Sequence, residues 1–145
     1  MSNEAQIQIS FVENAIDVEN ASLLPSLGCG GEGIFIGRTR SEKHDTYGQL
    51  SCLLYDCYRH MAETELISLA EEAINRFGVL FVKVTHSIGR VDVDEASVVI
   101  AIASNHRDDA FVACRFMIDM LKQRVPIWKQ EQWVDGTTWP VGAKL

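Results

Sequence analysis

Apolar residues recur along the chain with two different spacings, one typical of strands and one typical of helices. From Gln6 to Phe11 apolar and polar positions alternate, which predicts a half-buried strand. From Met61 to Phe77 apolar residues return every three or four positions, which predicts a long amphipathic helix. Gly78 follows as a natural C-terminal stop for that helix.

A second long helix is predicted in the C-terminal half. Ser104 or Asn105 is expected to cap its start, because short polar side chains accept hydrogen bonds from the first free N–H groups of a helix. Pro126 is expected to follow its end, because proline cannot continue a helix. Its apolar stripe, expected to face the core, consists of Phe111, Cys114, Ile118 and Leu121.

The segments between the helices predict further strands and turns. A short helix is expected within Asp17–Leu24, a polar loop over Arg40–Tyr47 and an aspartate-rich turn over Gly89–Glu95. The predicted strands cover Ile34–Arg38, Leu50–Tyr58, Val79–Ile88, Ala96–Ala103 and Ile127–Val134. The resulting order, β-α-β-β-α-β-β-α-β, contains adjacent strand pairs that indicate hairpins. We therefore expect an α+β fold with a mainly antiparallel sheet and two long helices, as one domain over residues 1–145.

Composition narrows the class of protein. Hydrophobic residues make up 47% of the 145 positions, which excludes an intrinsically disordered chain, and a net charge of −7 argues against general nucleic-acid binding. No apolar run is as long as a membrane span, and residues 1–10 lack the basic and apolar parts of a secretory signal. The four cysteines form no CxxC pair and the histidines show no ligand spacing with them. We expect a cytoplasmic protein with free thiols, no metal and no cofactor.

Charge is segregated along the chain. Residues 1–37 contain five acidic side chains and neither lysine nor arginine. Residues 105–130 contain five basic side chains, namely Arg107, Arg115, Lys122, Arg124 and Lys129, against three aspartates. A local anion-binding site in the C-terminal half is therefore compatible with the acidic total.

Two candidate anion-binding groups belong to the second helix. His106 and Arg107 stand at its start, where free backbone N–H groups favour an anion, although their spacing alone favours a plain surface cap. Lys122 lies in its last turn, where a cation is favourable without any function. The functional alternative is that Lys122 acts as an electrostatic clamp or as a nucleophile.

Two further groups lie on predicted strands. Arg38 and Arg40 flank one residue at a strand end and so point to the same face, where they could bind phosphate or carboxylate or merely protect a strand edge. Trp128 stands beside Lys129 and could form a wall with a cation next to it, or anchor the core. Together these groups indicate an anionic ligand.

A run of four glycines between Gly28 and Gly33 has two interpretations. It could cradle a phosphate, or it could be a flexible turn that leads into a strand. The phosphate-loop pattern GxxxxGK[ST] is missing and no helix signal follows the run, so the turn is favoured.

The order of these motifs resembles the large, catalytic subunit family of molybdopterin synthase. The resemblance spans about residues 34–131 and departs from the family pattern at Asp56, Ser87 and Gln130. The matching segments are Gly37-Arg38-Thr39-Arg40, Leu54-Tyr55-Asp56-Cys57-Tyr58, His86-Ser87-Ile88-Gly89-Arg90, Ser104-Asn105-His106-Arg107, Ile118-Asp119-Met120-Leu121-Lys122 and Pro126-Ile127-Trp128-Lys129.

The resemblance implies a fold, a reaction and partners. It implies an α/β-hammerhead-like fold and a sulfurtransferase of molybdenum cofactor biosynthesis, which converts cyclic pyranopterin monophosphate (precursor Z) into molybdopterin. The two sulfurs would come from the thiocarboxylate at the Gly-Gly tail of a small ubiquitin-like subunit. The large subunit would form a homodimer with a small subunit at each end, a heterotetramer.

The resemblance also implies residue roles. Lys122 and Lys129 match essential lysines of the family and would be the catalytic pair. Arg40, His106 and Arg107 would bind the phosphate and the pterin, and some of them would do so across the dimer. Arg38 and Trp128 are further substrate-binding candidates, which come from the strand pattern. The alternative function is a non-catalytic homologue that only docks the small subunit or an anionic ligand.

Overall fold

A computed structural model shows one eight-stranded sheet with two long helices on one face. It describes residues 6–140. Residues 1–5, which belong to the segment where we expect no secretory signal, and residues 141–145, at the end of the expected domain, lie outside the described range. The elements are β1 (Ile7–Glu13), α1 (Val18–Ala21), β2 (Gly31–Arg38), β3 (Lys43–His44), β4 (Gly48–Cys57), α2 (Arg59–Phe77), β5 (Phe81–Asp92), β6 (Ala96–Ser104), α3 (Arg107–Arg124), β7 (Ile127–Trp133) and β8 (Gly136–Thr138).

The sheet runs in the order β2-β6-β5-β4-β7-β8, with β1 added to β5 and β3 to β4. All pairs of named strands are antiparallel except β1 with β5, which is parallel. The predicted α+β class with a mainly antiparallel sheet is therefore confirmed. In the described part of the chain, no helix is long and apolar enough to cross a membrane.

The main core lies between the sheet and the two long helices. Leu66 and Leu69 of α2 and Met117 and Leu121 of α3 are fully buried there against β-branched residues of β5 and β6 such as Ile100. Arg124, in the last turn of α3, forms ion pairs with Glu65 and Glu72 in the middle of α2, at 2.6 and 3.2 Å. These ion pairs connect the last turn of α3 to α2.

Both long helices were predicted, with two differences at α3. Gly78 ends α2 in the left-handed conformation, as expected. The N-cap of α3 is His106 rather than Ser104 or Asn105, and it makes no side-chain capping bond. Phe111 was expected in the core and is instead 66% exposed, because the buried stripe runs through Ala110, Ala113, Cys114, Met117, Ile118 and Leu121.

Three short elements differ from the predicted ones. The expected turn Gly89–Glu95 is strand as far as Asp92, because β5 changes partner there and pairs with β4. Gly89, at φ +123°, supplies the backbone conformation at this change of partner. The polar loop Arg40–Tyr47 contains the two-residue strand β3, and β8 follows the last predicted strand.

Candidate active site

A cavity of about 390 Å³ opens on the helix-covered side of the sheet, beside the last turn of α3. Six elements line it: α3 and strands β2, β4, β5, β6 and β7, with residues just after β2. Its charged lining side chains are Arg38, Arg40, Glu42, Lys122, Lys129 and Glu131. Four cations against two carboxylates make this a locally positive site in a chain of net charge −7. The cavity is suited to an anionic ligand.

Lys122 reaches the cavity because of the helical repeat. Ile118, Leu121 and Lys122 lie three and four positions apart on one face of α3, so the two apolar residues bury while the lysine extends from the same face. Within residues 6–140 no acceptor lies within hydrogen-bond or ion-pair distance of its ammonium group. Its charge is therefore available to a ligand.

Lys129 reaches the same cavity by strand alternation. Ile127, Lys129, Glu131 and Trp133 occupy one face of β7, and the middle two line the cavity. In the β4–β7 pair Lys129 stands directly opposite Tyr55, which also lines the cavity. Lys129 is half-buried, and like Lys122 it has no ion-pair partner in the described part of the chain.

Arg38 and Arg40 both line the cavity, which agrees with the prediction that they share a face. Arg38 donates to the backbone oxygen of Asp94 at 2.8 Å. Arg40 forms an ion pair with Glu42 at 2.8 Å, and its side chain is 81% exposed. A phosphate would therefore have to compete with Glu42 for Arg40, an exchange that costs little at an exposed pair.

His106, Arg107 and Trp128 do not line this cavity in a single chain. His106 and Arg107 are exposed at the first turn of α3, and the rise of an α-helix puts Arg107 about 22 Å from Lys122 along the axis. Trp128 lies on the face of β7 opposite Lys129 and packs edge-on against Tyr58, with ring centroids 5.0 Å apart. One chain thus brings together four of the seven predicted site residues.

The cavity also contains residues that the sequence reasoning did not assign to the site. Glu131 could have been found by alternation from Lys129, because positions two apart on a strand share a face. Tyr55 and Ser97 stand deeper, and burial raises the pKa of Tyr55 while a hydrogen bond with Ser97 lowers it. His86 is the most buried of these three, and its burial lowers its pKa to about 4, against the opposing effect of a backbone hydrogen bond at Ser87.

The glycine run has a structural explanation. Gly31 and Gly33 belong to β2 and pair with β6, while Gly30 donates to the Ser104 carbonyl at 3.0 Å. A Cβ at Gly30 would collide with the Asn105 carbonyl oxygen, and one at Gly33 would come within 3.0 Å of the Ala110 carbonyl oxygen. The glycines therefore allow β2 to pack closely against the start of α3, which agrees with the turn-into-strand interpretation.

Comparison with known proteins identifies the family to which this architecture corresponds. A family model described as MoaE protein matches residues 11–124. A Pyrococcus abyssi protein named molybdopterin synthase catalytic subunit is 33% identical over 138 residues, which cover 93% of this chain and 92% of the relative.

Two solved structures have the same fold. The X-ray structure of molybdopterin synthase from Staphylococcus aureus superposes with a TM-score of 0.81 at 30% identity and covers 90% of this chain and 94% of its own. A complex of subunits 1 and 2 of molybdopterin-converting factor from Helicobacter pylori matches with a TM-score of 0.74 over 94% of this chain and 92% of its own. At 22% identity, the second likeness concerns the fold alone.

Proposed function

The chain belongs to the MoaE family of molybdopterin synthase catalytic subunits, and we propose that its positively charged cavity is the place where sulfur is transferred to the pterin. Family membership assigns it to molybdenum cofactor biosynthesis as the sulfur-transferring subunit. The substrate in this proposal is cyclic pyranopterin monophosphate. The sulfur donor is the thiocarboxylated Gly-Gly tail of a small ubiquitin-like subunit.

One observation supports this location more than any other. Lys122 on a helix and Lys129 on a strand meet in one cavity, and neither ammonium group has an acceptor among the described residues. Both reactants are anions, a phosphate ester and a thiocarboxylate, so unpaired cations favour bringing them together. The cavity volume of about 390 Å³ lies in the range of small-ligand sites, and a tail without side chains is narrow enough to enter it.

The proposed chemistry consists of two similar transfers. In each, the thiocarboxylate sulfur forms a bond to a side-chain carbon of the pterin, and a C–O bond of that carbon breaks, so that the oxygen leaves as water or stays on the phosphate as the cyclic ester opens. The acyl–sulfur bond then breaks and leaves the sulfur on the pterin. The acyl group passes to water, which releases its protons and returns a carboxylate tail, or to the Nζ of Lys122, which loses two protons from its ammonium form and gives an amide. Negative charge develops on the acyl oxygen in either case, and a nearby ammonium stabilises it.

The roles of the other residues follow from where they stand. Lys122, at the rim, is the group proposed to meet the inserted tail, and Lys129 is proposed to orient the pterin or to supply a proton. Arg38 and Arg40, exposed beside the cavity, are proposed to bind the phosphate. Trp128 supports the strand from its other face, through its contact with Tyr58.

His106 and Arg107 are proposed to enter the site from a second copy of the chain. Beside the cavity runs an apolar groove that includes Ile34, Phe35, Phe111 and Ile118, and it shares Phe35 and Ile118 with the cavity. Three of these side chains are exposed, at 44%, 37% and 66% for Ile34, Phe35 and Phe111. A homodimer that buries this groove would extend the positive site.

Helix geometry makes this pairing specific. The positions of α3 that line the groove run from Phe111 to Asp119 and are centred at residue 115. Arg107 lies eight positions before that centre and Lys122 lies seven positions after it, so the two are nearly symmetric about it. Two α3 helices that cross there in antiparallel fashion about a twofold axis therefore bring the partner's Arg107 to Lys122.

The partner protein and the compartment are part of the same proposal. The Helicobacter pylori neighbour is a complex of subunits 1 and 2, which agrees with a small-subunit partner here. A heterotetramer of two large and two small subunits is part of the proposal. The cysteines are free thiols, which supports a reducing, cytoplasmic location. The alternative of a homologue that docks the small subunit without turnover is disfavoured, since it would not need two unpaired lysines in the cavity.

The test is a single-turnover assay with cyclic pyranopterin monophosphate and thiocarboxylated small subunit. Lys122→Ala and Lys129→Ala are each expected to lower the rate about a hundredfold or more, the usual cost of losing a charge-stabilising donor. Lys43→Ala is the matched control, because Lys43 is an exposed lysine on β3 outside the cavity. An unchanged rate in both cavity variants would contradict the assignment.

A further inference from the structure

His86 is a buried, potentially basic side chain in the cavity that the proposed reaction does not yet use. It continues the row of Val82 and Val84 on the face of β5 that packs under the long helices. Val82 and Val84 are core residues, but His86 stands where the core opens into the cavity. Its side chain is nearly inaccessible, with 1% of the residue exposed, and yet it lines the cavity wall.

One ring nitrogen of His86 is already engaged, which determines the tautomer. Nδ1 lies 2.8 Å from the carbonyl oxygen of Ser87. Because a carbonyl only accepts, Nδ1 must carry the hydrogen, and Nε2 of the neutral ring is then an acceptor. Ser87 is itself fixed, since it is fully buried and its hydroxyl donates to the Asn14 carbonyl at 2.6 Å.

The second nitrogen, Nε2, has no protein partner within residues 6–140. In that same part of the chain, no fully buried polar side-chain atom lacks a hydrogen-bond partner. Nε2 is therefore partly accessible to solvent. Because His86 lines the cavity, we take this accessible area to face the cavity. An acceptor that opens onto a ligand cavity can bind a donor on the ligand.

The neighbours of His86 arrange the cavity as a charged rim above a neutral floor. Tyr55 meets His86 edge to face at 5.2 Å between ring centroids, and it stands opposite Lys129 on the next strand. Lys122, Arg38 and Arg40 are exposed, whereas Tyr55 and His86 are buried. A ligand with a charged group at one end and a polar heterocycle at the other matches this division.

We propose that His86 is a substrate-binding residue that accepts a hydrogen bond, through Nε2, from an N–H group of the heterocycle. The inference rests on the proposed function, whose substrate joins a phosphate to a pterin with ring and amino N–H donors. The cations at the rim bind the phosphate, which any phosphate ester offers. His86 then selects, among such esters, those whose other end carries an N–H donor.

The experiment measures two ligands on the intact large subunit. The dissociation constant of cyclic pyranopterin monophosphate and the inhibition constant of inorganic phosphate as its competitor are determined for the wild-type protein and for two variants. His86→Leu removes the acceptor, and His86→Gln keeps an acceptor oxygen at about the same reach. Thermal midpoints of all three proteins are recorded at the same concentration.

The proposal predicts a selective effect. His86→Leu should weaken pterin-phosphate binding about tenfold or more, because a substrate donor is left without a partner. Inorganic phosphate should bind within about twofold of wild type, and His86→Gln should restore pterin binding to within about threefold. If the leucine variant does not fold, His86→Met takes its place, since methionine fills irregular core space.

Three outcomes would overturn the proposal. Equal losses of pterin and phosphate binding, without rescue by glutamine, would show that His86 only supports the fold. Unchanged pterin binding in the leucine or methionine variant would show that no hydrogen bond is made. A wild-type protein that does not bind the pterin phosphate at all would refute the proposed function itself, and the role of His86 with it.

Discussion

Acid should weaken the fold through His86 well before the carboxylates are protonated. Burial lowers the pKa of this imidazole to about 4 in the folded chain, whereas the ordinary value of 6.5 applies to the unfolded chain. Between those two pH values the unfolded state binds a proton that the folded state does not. The stability that depends on a neutral His86 is therefore complete above pH 6.5 and is lost as the pH falls towards 4.

The size of the effect follows from the two pKa values. Each unit of difference is worth about 1.4 kcal/mol, so the full shift corresponds to about 3 kcal/mol. Linkage of one site gives a loss of about 1 kcal/mol by pH 5.5 and about 2 kcal/mol by pH 5. His86 is almost wholly buried, so solvent does not screen this interaction.

The assay is urea unfolding at pH 7.5, 6.5, 5.5 and 5.0, at one protein concentration, with wild type and His86→Gln. Glutamine does not titrate, so the difference between the two free energies of unfolding isolates the histidine. Between pH 7.5 and pH 5, the free energy of unfolding of the wild type should fall by about 2 kcal/mol more than that of His86→Gln. A difference that stays constant within about 0.5 kcal/mol would refute the argument that His86 is buried in its neutral form.

Three more predictions test the site and its surroundings. Homodimers of Lys122→Ala or of Arg107→Ala should not turn over substrate at an appreciable rate. When the two variants are mixed in equal amounts and exchange subunits, half of the dimers contain one intact site, so about a quarter of wild-type activity should return. No recovery of activity would contradict a site shared between two chains. Gly30→Ala should lower the free energy of unfolding by about 1–3 kcal/mol, measured by urea titration, because its Cβ meets the Asn105 carbonyl; an unchanged stability would contradict the close packing. Trp128→Ala should change the Michaelis constant less than Lys129→Ala does in steady-state kinetics, because Trp128 lies on the other face of the strand; the reverse order would place Trp128 in contact with substrate.

The pattern of apolar residues was enough to predict the parts of the fold that obey local rules. Helix α2 and its end at Gly78 follow from spacing and from the conformational freedom of glycine. Local rules failed where tertiary pairing decides. The stretch Gly89 to Asp92 is aspartate-rich and glycine-led like a turn, but it becomes strand because β4 pairs with it. Phe111 continues an apolar spacing, yet it stands exposed in the groove that we assign to a second copy of the chain.

The candidate site was predictable as a set of cations but not as a geometry. Arg38, Arg40, Lys122 and Lys129 were named from charge, spacing and resemblance, and they line one cavity. The distance of about 22 Å between Arg107 and Lys122 follows from the rise per residue of a helix. A common site for these two residues depends on the position of a second chain, which the sequence does not indicate. His86 was part of a matching motif without a role, because nothing in the sequence indicates that it stands where the core opens.

The stoichiometry of sulfur transfer distinguishes a catalytic subunit from one that only docks its partner. The wild-type chain is mixed with thiocarboxylated small subunit in excess over cyclic pyranopterin monophosphate, and the pterin product and the intact mass of the small subunit are followed together. We expect molybdopterin as the product, with two thiocarboxylate tails consumed for each pterin converted. A complex that forms with the small subunit, but leaves both the pterin and the thiocarboxylates unchanged, would contradict this expectation and would favour a docking role alone.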